Sequence, residues 1–220
     1  YVFGAYNTLN AGPFAWYVEY AAKTSEAQAD QNLRLFDAWG QVFYTTMAFT
    51  VKGLGISAQF KRTQNFQFRT SPNETLLQGM ISYIPPITRQ NSLRLPARYV
   101  PQSLELEELG YGFDVTYSPS RKVTFNGNFS EVRDFDNFLH YREVFFDVDI
   151  KVKRNWKAHV GLQFMQYDQE FYQRESFGDY TYITAYTPFV EFLWKINRKH
   201  SLRFELQNQF TDEDFGAWAF

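Results

Sequence analysis

The sequence contains no cysteine, which excludes disulfides and thiolate metal sites. Three histidines leave little material for a histidine-rich metal centre. Basic residues number 22 against 24 acidic ones, a net charge of −2, so the basic field that nucleic-acid binding uses is missing. No run of about 18 apolar residues occurs, which excludes a transmembrane helix. No export signal is visible: the chain opens YVFGAYNTLNAGPF, without an initiator methionine, as a mature, trimmed or partial chain would. What is abundant is aromatic: 24 Phe, 15 Tyr and 5 Trp, 20% of the chain, in a sequence of negative mean hydropathy. A soluble domain has few places to hide so many rings. High polarity and high aromaticity coexist readily when rings face lipid, with girdles at both interfaces, and polar groups face the inside of a barrel.

Period-two alternation recurs from end to end, and successive strand residues point to opposite faces. Phe14, Trp16, Val18 and Tyr20 oppose Ala15, Tyr17, Glu19 and Ala21. Phe43, Met47, Phe49 and Val51 form another apolar row, and Ile56, Ala58 and Phe60 oppose Ser57, Gln59 and Lys61. Tyr111, Phe113, Val115 and Tyr117 are followed, after SPSRK, by Val123, Phe125, Gly127 and Phe129. Val144 to Val152 alternate with Glu143, Asp147, Asp149 and Lys151; Trp156 to Phe164 alternate with Lys157, His159 and Gln163. Val190, Phe192, Trp194 and Ile196, then Leu202, Phe204 and Leu206, flank the turn NRKH.

The connections alternate in length. Tight turns are expected near NAGP, KGLG, PPIT, SPSRK, KRN and NRKH. Longer polar links are expected at SEAQADQNLRLFDAWG, QFRTSPNET, PARYVPQSLELEELG, RDFDNFLH and DQEFYQRESFGD. Short turns on one side and long loops on the other mark an up-and-down membrane barrel. The pattern predicts about twelve or more strands of roughly 8–13 residues, near the length that crosses a bilayer at a tilt. They form a single domain over residues 1–220.

Two arrangements suit two-faced strands. Either the apolar rows pack together in a soluble β-sandwich, or they face lipid while the polar rows line a wet interior. The polar rows are too charged for a dry core, because an unpaired buried ion costs several kcal/mol. Closure also removes the edge strands that an apolar, ring-rich sheet would expose. The expected fold is therefore all-β, an antiparallel up-and-down transmembrane β-barrel. Its lumen-lining candidates are Glu143, Asp147, Asp149, Lys151, Lys157, His159, Glu191, Lys195, Arg203 and Glu205. Its lipid-facing or belt candidates are Trp16, Tyr20, Phe125, Phe129, Phe146, Trp156, Phe192, Trp194 and Phe204.

The stretches SYIPPITRQNSLRL, LGYGFDVTYSPSRKVTFNGNFSEVRDFDNF and HSLRFELQNQFTDEDFGAW resemble an uncharacterised family of Bacteroidota outer-membrane β-barrel proteins. The similarity runs from the KGLG turn to the end and consists of strand patterns rather than a catalytic signature. Asn91 stands where that family usually has histidine. The resemblance implies an outer-membrane location and longer members with strands beyond Trp218. On that footing the chain is incomplete and Phe220 is an accidental stop. It implies no activity.

The remaining candidate chemistry is weak. Asp147, Asp149 and Lys151, with Lys157 and His159 across the turn, read as opposite-charge cross-strand pairs before they read as a selectivity element. The acidic clusters LELEELG and TDEDF could offer oxygens to Ca²⁺, but their spacing matches no loop site. His159 with Ser130, or His140 beside Asp136, would be needed for a hydrolase. A glycan-stacking platform is placed in the long loops, around Phe36 and Trp39. The segment PARYVPQSLELEELG either folds inward as a constriction or stands outside as a docking surface. Three functions follow in order: a non-enzymatic structural or accessory barrel in an outer-membrane secretion, insertion or uptake assembly; a porin-like channel for small solutes; and an outer-membrane hydrolase. Outer-membrane lipid and other envelope proteins are the expected partners, with no cofactor, no metal and no nucleic acid.

Overall fold

The alternating rows fold as one antiparallel sheet in a computed structural model, which describes residues 1–29, 34–66, 68–71, 80–82, 85–89, 93, 95–97, 101, 107–169 and 182–212. The strands are β1 (Val2–Ala11), β2 (Phe14–Ala29), β3 (Leu35–Val51), β4 (Leu54–Gln64), β5 (Phe68–Arg69), β6 (Met80–Ser82) and β7 (Glu107–Ser120). They continue as β8 (Val123–Arg133), β9 (Leu139–Lys153), β10 (Trp156–Asp168), β11 (Tyr182–Lys195), β12 (Ser201–Gln207) and β13 (Phe210–Thr211). Eleven of them make one up-and-down sheet in the order β1-β2-β3-β4-β7-β8-β9-β10-β11-β12, with β13 following β12 along β11; β5 and β6 form a separate pair. The end strands β1 and β12 do not pair with each other.

One end of the sheet carries tight turns at Gly12–Pro13, Lys52–Gly53, Arg121–Lys122 and Arg154–Asn155. Gly12 and Gly53 sit at φ of +59° and +80°, the left-handed region that glycine enters without steric cost. The β11–β12 turn is fixed by Asn197, whose Oδ1 accepts from the amides of Lys199 (2.8 Å) and His200 (2.9 Å), an Asx turn. The longer connections gather at the other end.

The register gives every strand of the main sheet the same two faces. On one face lie Trp16, Tyr20, Phe125, Phe129, Phe146, Trp156, Phe192, Trp194 and Phe204. This face is open: Phe146 is 50% exposed, Phe204 59% and Leu206 74%. The opposite face is covered, and Glu143, Asp147 and Gln163 on it are fully buried. Residues 85–89, 93 and 95–97 lie against it, bonded to Lys61, Asp147, Gln163 and Gln207. Toward the long-loop end the covered face turns apolar, with Val132, Tyr141, Met165, Tyr167, Ile183 and Ala185 in one buried cluster. Leu93 joins Phe145 and Phe189 in a second.

Three sequence expectations change. The PPIT stretch is not a hairpin turn between neighbouring strands. β4 pairs directly with β7, and Pro85 and Pro86 lie in the segment over the covered face, where a rigid residue without an N–H can run against a wall of side chains. The link SEAQADQNLRLFDAWG is mostly strand: β2 and β3 continue through Glu26↔Ala38 to Ala29↔Leu35 after an irregularity at Lys23–Glu26. Its polar composition hid a ladder held by backbone bonds. The strands are also longer than expected, up to 16 residues in β2 and 17 in β3. The loops TSPNET and YQRESFGD and the stretch from Glu213 to Phe220 lie wholly or mostly outside the described residues.

Candidate functional site

All ten sequence-selected polar residues fall on the covered face, because they occupy one parity on four adjacent strands in register. Their environments differ. Glu143 and Asp147 are buried, His159 and Glu191 are half-buried, and Asp149, Lys151, Lys157, Lys195, Arg203 and Glu205 are exposed toward the turn end. The expected opposite-charge pairing is only partly present. Lys157 stands directly across from Lys151, and His159 across from Asp149. Glu191 likewise faces Glu205. Arg203, two residues before Glu205 on the same face of β12, reaches both carboxylates: it pairs with Glu191 and its Nε lies 3.8 Å from Glu205. A one-residue shift at Trp156–Lys157 sets the β9–β10 register, and no composition rule foretells it.

Asp147 is the hub of the covered face. Its Oδ2 accepts from Arg89 Nη2 at 3.0 Å, and its Oδ1 accepts from Asn126 Nδ2 at 2.7 Å and lies 3.3 Å from His159 Nε2. Arg89 also stacks over the Phe145 ring, 4.0 Å from its centroid, a cation–π contact that a planar guanidinium makes well. The segment is held at three further points. Lys61 Nζ donates to the Pro85 carbonyl at 2.7 Å, Gln163 Nε2 donates to the Pro96 carbonyl at 3.1 Å, and the Leu95 amide donates to Gln207 Oε1 at 2.9 Å. Gln163 Nε2 also donates to Glu143 Oε1 at 2.6 Å. Lys61 forms an ion pair with Glu108, both buried. Sequence reasoning missed Lys61, Arg89 and Glu108 as partners because they lie far apart along the chain.

Glycine makes room for this layer. A Cβ on Gly112 would come within 2.5 Å of Ile87 Cγ2, and one on Gly161 within 2.4 Å of the Phe189 ring. Both glycines are on the covered face, so a ring and an isoleucine fill the space that side chains would take.

The two catalytic pairings drawn from sequence do not assemble. Ser130 pairs with Glu143 and Thr124 with Asp149, the neighbour of His159. Six residues of strand therefore separate Ser130 from His159, about 20 Å at the usual strand rise. His140 contacts Asp134 (3.2 Å) and Asp168 (3.7 Å), both carboxylates, rather than Asp136. Asp147, Asp149 and His159 bring ligand atoms within 4.8 Å of one another, but both Asp147 oxygens already serve Arg89, Asn126 and His159. Of the LELEELG cluster, Glu108 is occupied by Lys61; most of the remaining acidic residues considered for Ca²⁺ lie outside the described residues.

The open face has its own pattern. Apart from Lys153, which stands across from Trp156 beside the turn, outward positions of the described strands β1, β4 and β7–β12 carry no acidic or basic residue from the turn end up to Arg62, Glu131, Arg142 and Asp168. The same holds for outward positions 14–22 of β2 and 41–51 of β3. Charges then appear together at the long-loop end: Glu131 accepts from Arg133 and Arg142, and His140 meets Asp134 and Asp168. Ring contacts occur toward both ends of the uncharged zone. Near the turns Trp156 packs on Phe192 (4.6 Å) and Trp194 (5.4 Å); nearer the loops Phe60 packs on Tyr111 (5.4 Å) and Phe164 on Tyr186 (5.1 Å). Among curated proteins, none matches this chain. Residues 2–220 match the family of unknown function DUF6029, and the chain belongs to that family.

Proposed function

We propose that the chain is an antiparallel up-and-down transmembrane β-barrel of a bacterial outer membrane, from a Bacteroidota-type envelope. It works without catalysis as a structural or accessory subunit of a larger outer-membrane assembly for secretion, insertion or uptake. The observation that carries this reading is the charge-free, ring-rich band on the open face, bounded by ion pairs at the long-loop end. In water such a face would be a contiguous apolar patch far larger than soluble monomers tolerate. In a bilayer it is the lipid-facing band of a barrel, with aromatic side chains toward both interfaces. Short turns at one end and long connections at the other fit the same architecture, the short turns facing the periplasm.

The choice of scaffold over porin rests on what fills the covered face. The segment around Arg89 is clasped to Asp147, Lys61, Gln163 and Gln207, and buried apolar clusters lie toward the long-loop end and beside Asp147. An interior packed this way supports a filled lumen.

The test is extraction of the protein from its own membrane, native sizing, mass spectrometry of what travels with it, and planar-bilayer conductance. The expected result is fractionation with the outer membrane, migration in a complex, and no steady conductance. Recovery in the soluble fraction without detergent overturns the membrane reading. A lone barrel with ohmic conductance overturns the scaffold reading in favour of a porin.

A further inference from the structure

Three tyrosines are on the wrong face for a lipid belt. Tyr6, Tyr17 and Tyr44 belong to β1, β2 and β3, and the register puts them on the covered-face parity, with Glu19 and Gln59. Tyr6 and Tyr17 have ring centroids 6.2 Å apart with planes inclined by 30°, and Tyr17 and Tyr44 are 6.2 Å apart with planes tilted by 55°. The rings form a short row that starts at the exposed edge strand, where Tyr6 is 76% exposed, and runs inward. Its inner end reaches a cavity of ≈ 380 Å³ between the β2–β4 wall and the Pro85–Thr88 segment, lined by Glu19, Tyr44, Gln59, Lys61, Pro86 and Thr88 among others.

The polar groups at this site are arranged for use. Tyr17 OH donates to Glu19 Oε2 at 2.7 Å, so the second carboxylate oxygen remains an acceptor. Tyr44 OH donates to Gln59 Oε1 at 3.2 Å, which leaves the Gln59 amide NH₂ as a donor. The lining cation, Lys61, is committed to Glu108 and the Pro85 carbonyl, so the cavity has no uncompensated positive charge for an anion. The rings lie in a row rather than around a box, which disfavours a quaternary ammonium, whose recognition uses an aromatic cage.

From this combination we infer that the Tyr6–Tyr17–Tyr44 row and its adjoining cavity bind a neutral saccharide. A pyranose ring presents an apolar C–H face and an equatorial rim of hydroxyls. The tyrosine faces meet the first, and Glu19, Gln59 and Thr88 meet the second. The cavity volume lies in the lower part of the range for small-ligand pockets. The site needs only a wet covered face and does not depend on the membrane assignment. It is distinct from the Phe36–Trp39 region that the sequence suggested for glycans.

The experiment is titration of the whole chain with maltose, cellobiose, lactose and chitobiose, by calorimetry and saturation-transfer NMR. An amine-oxide detergent is used where detergent is needed, because alkyl glycosides would compete. The expected result is saturable binding of at least one disaccharide, with transfer from tyrosine rings to sugar protons. Y17A weakens binding about tenfold, the equivalent of one lost stacking contact, Y17F retains most of it, and E19Q weakens it at unchanged melting temperature. Should Y17A fail to fold, E19Q carries the test, since Glu19 is exposed and its replacement is isosteric. The proposal is overturned if none of the four sugars binds. It is equally overturned if binding is indifferent to E19Q, or if tetramethylammonium binds in preference to every sugar.

Discussion

At the residue scale, the covered face owes its order to ions that would be costly one at a time. Lys61 and Glu108 are 2% and 0% exposed, and each is tolerable there because of the other. K61M removes a cation from beside a buried carboxylate and should lower unfolding free energy by about 3 kcal/mol. The double variant K61M/E108L should recover most of that loss, since an apolar pair of similar volume often equals a buried ion pair. Chemical unfolding of the four members of the cycle checks both statements; an additive cycle would mean the two side chains do not act as a pair. Arg89 is different in kind, because it is partly exposed and its guanidinium serves both a carboxylate and a ring.

At the scale of elements, the Gly112–Ile87 contact fixes how closely the segment approaches β7. G112V places atoms where Ile87 Cγ2 stands, and overpacking of that kind costs ~1–3 kcal/mol. Trypsin cleavage after Arg89 in the folded protein should rise roughly tenfold, in line with that cost. Unchanged cleavage would show that the segment is held by its ends and not by this groove. The strands themselves were legible in the sequence because Trp16, Phe146 or Phe204 and their neighbours repeat with period two, and every one of those rows is a strand. The Pro85–Thr88 segment was illegible, since a Pro-Pro pair reads equally as a turn and as a rigid strap. The Lys151–Lys157 juxtaposition was hidden by a one-residue shift beside the turn. Of the inner tyrosines, Tyr17 was legible, sharing a row with Glu19 opposite Trp16 and Tyr20, whereas Tyr6 and Tyr44 were given no face, so the row of three rings did not show.

At the scale of the molecule, the two faces have unequal tolerance to charge. F146R puts a guanidinium in the middle of the uncharged band, where a lipid-facing residue should cost ~2–4 kcal/mol. K157A, on the covered face near the turns and exposed, should stay within about 0.5 kcal/mol of wild type. Folding into lipid vesicles monitored by gel mobility and denaturant titration reads both. Equal tolerance of the two changes would remove the distinction between faces on which the membrane reading depends.

The strand order also has a consequence in time. From β1 to β12, neighbours in the main sheet are neighbours along the chain except at β4–β7, which the stretch from 65 to 106 separates. Closing that interval carries a larger loop entropy than closing any of the short turns, and non-local pairing slows folding. The β1–β4 and β7–β12 meanders should therefore form first and meet late. In pulse-labelled hydrogen exchange, amides of β9 and β10 should gain protection before those shared by β4 and β7. Simultaneous protection would indicate that the Lys61–Glu108 clasp, across this same boundary, brings the halves together at the outset.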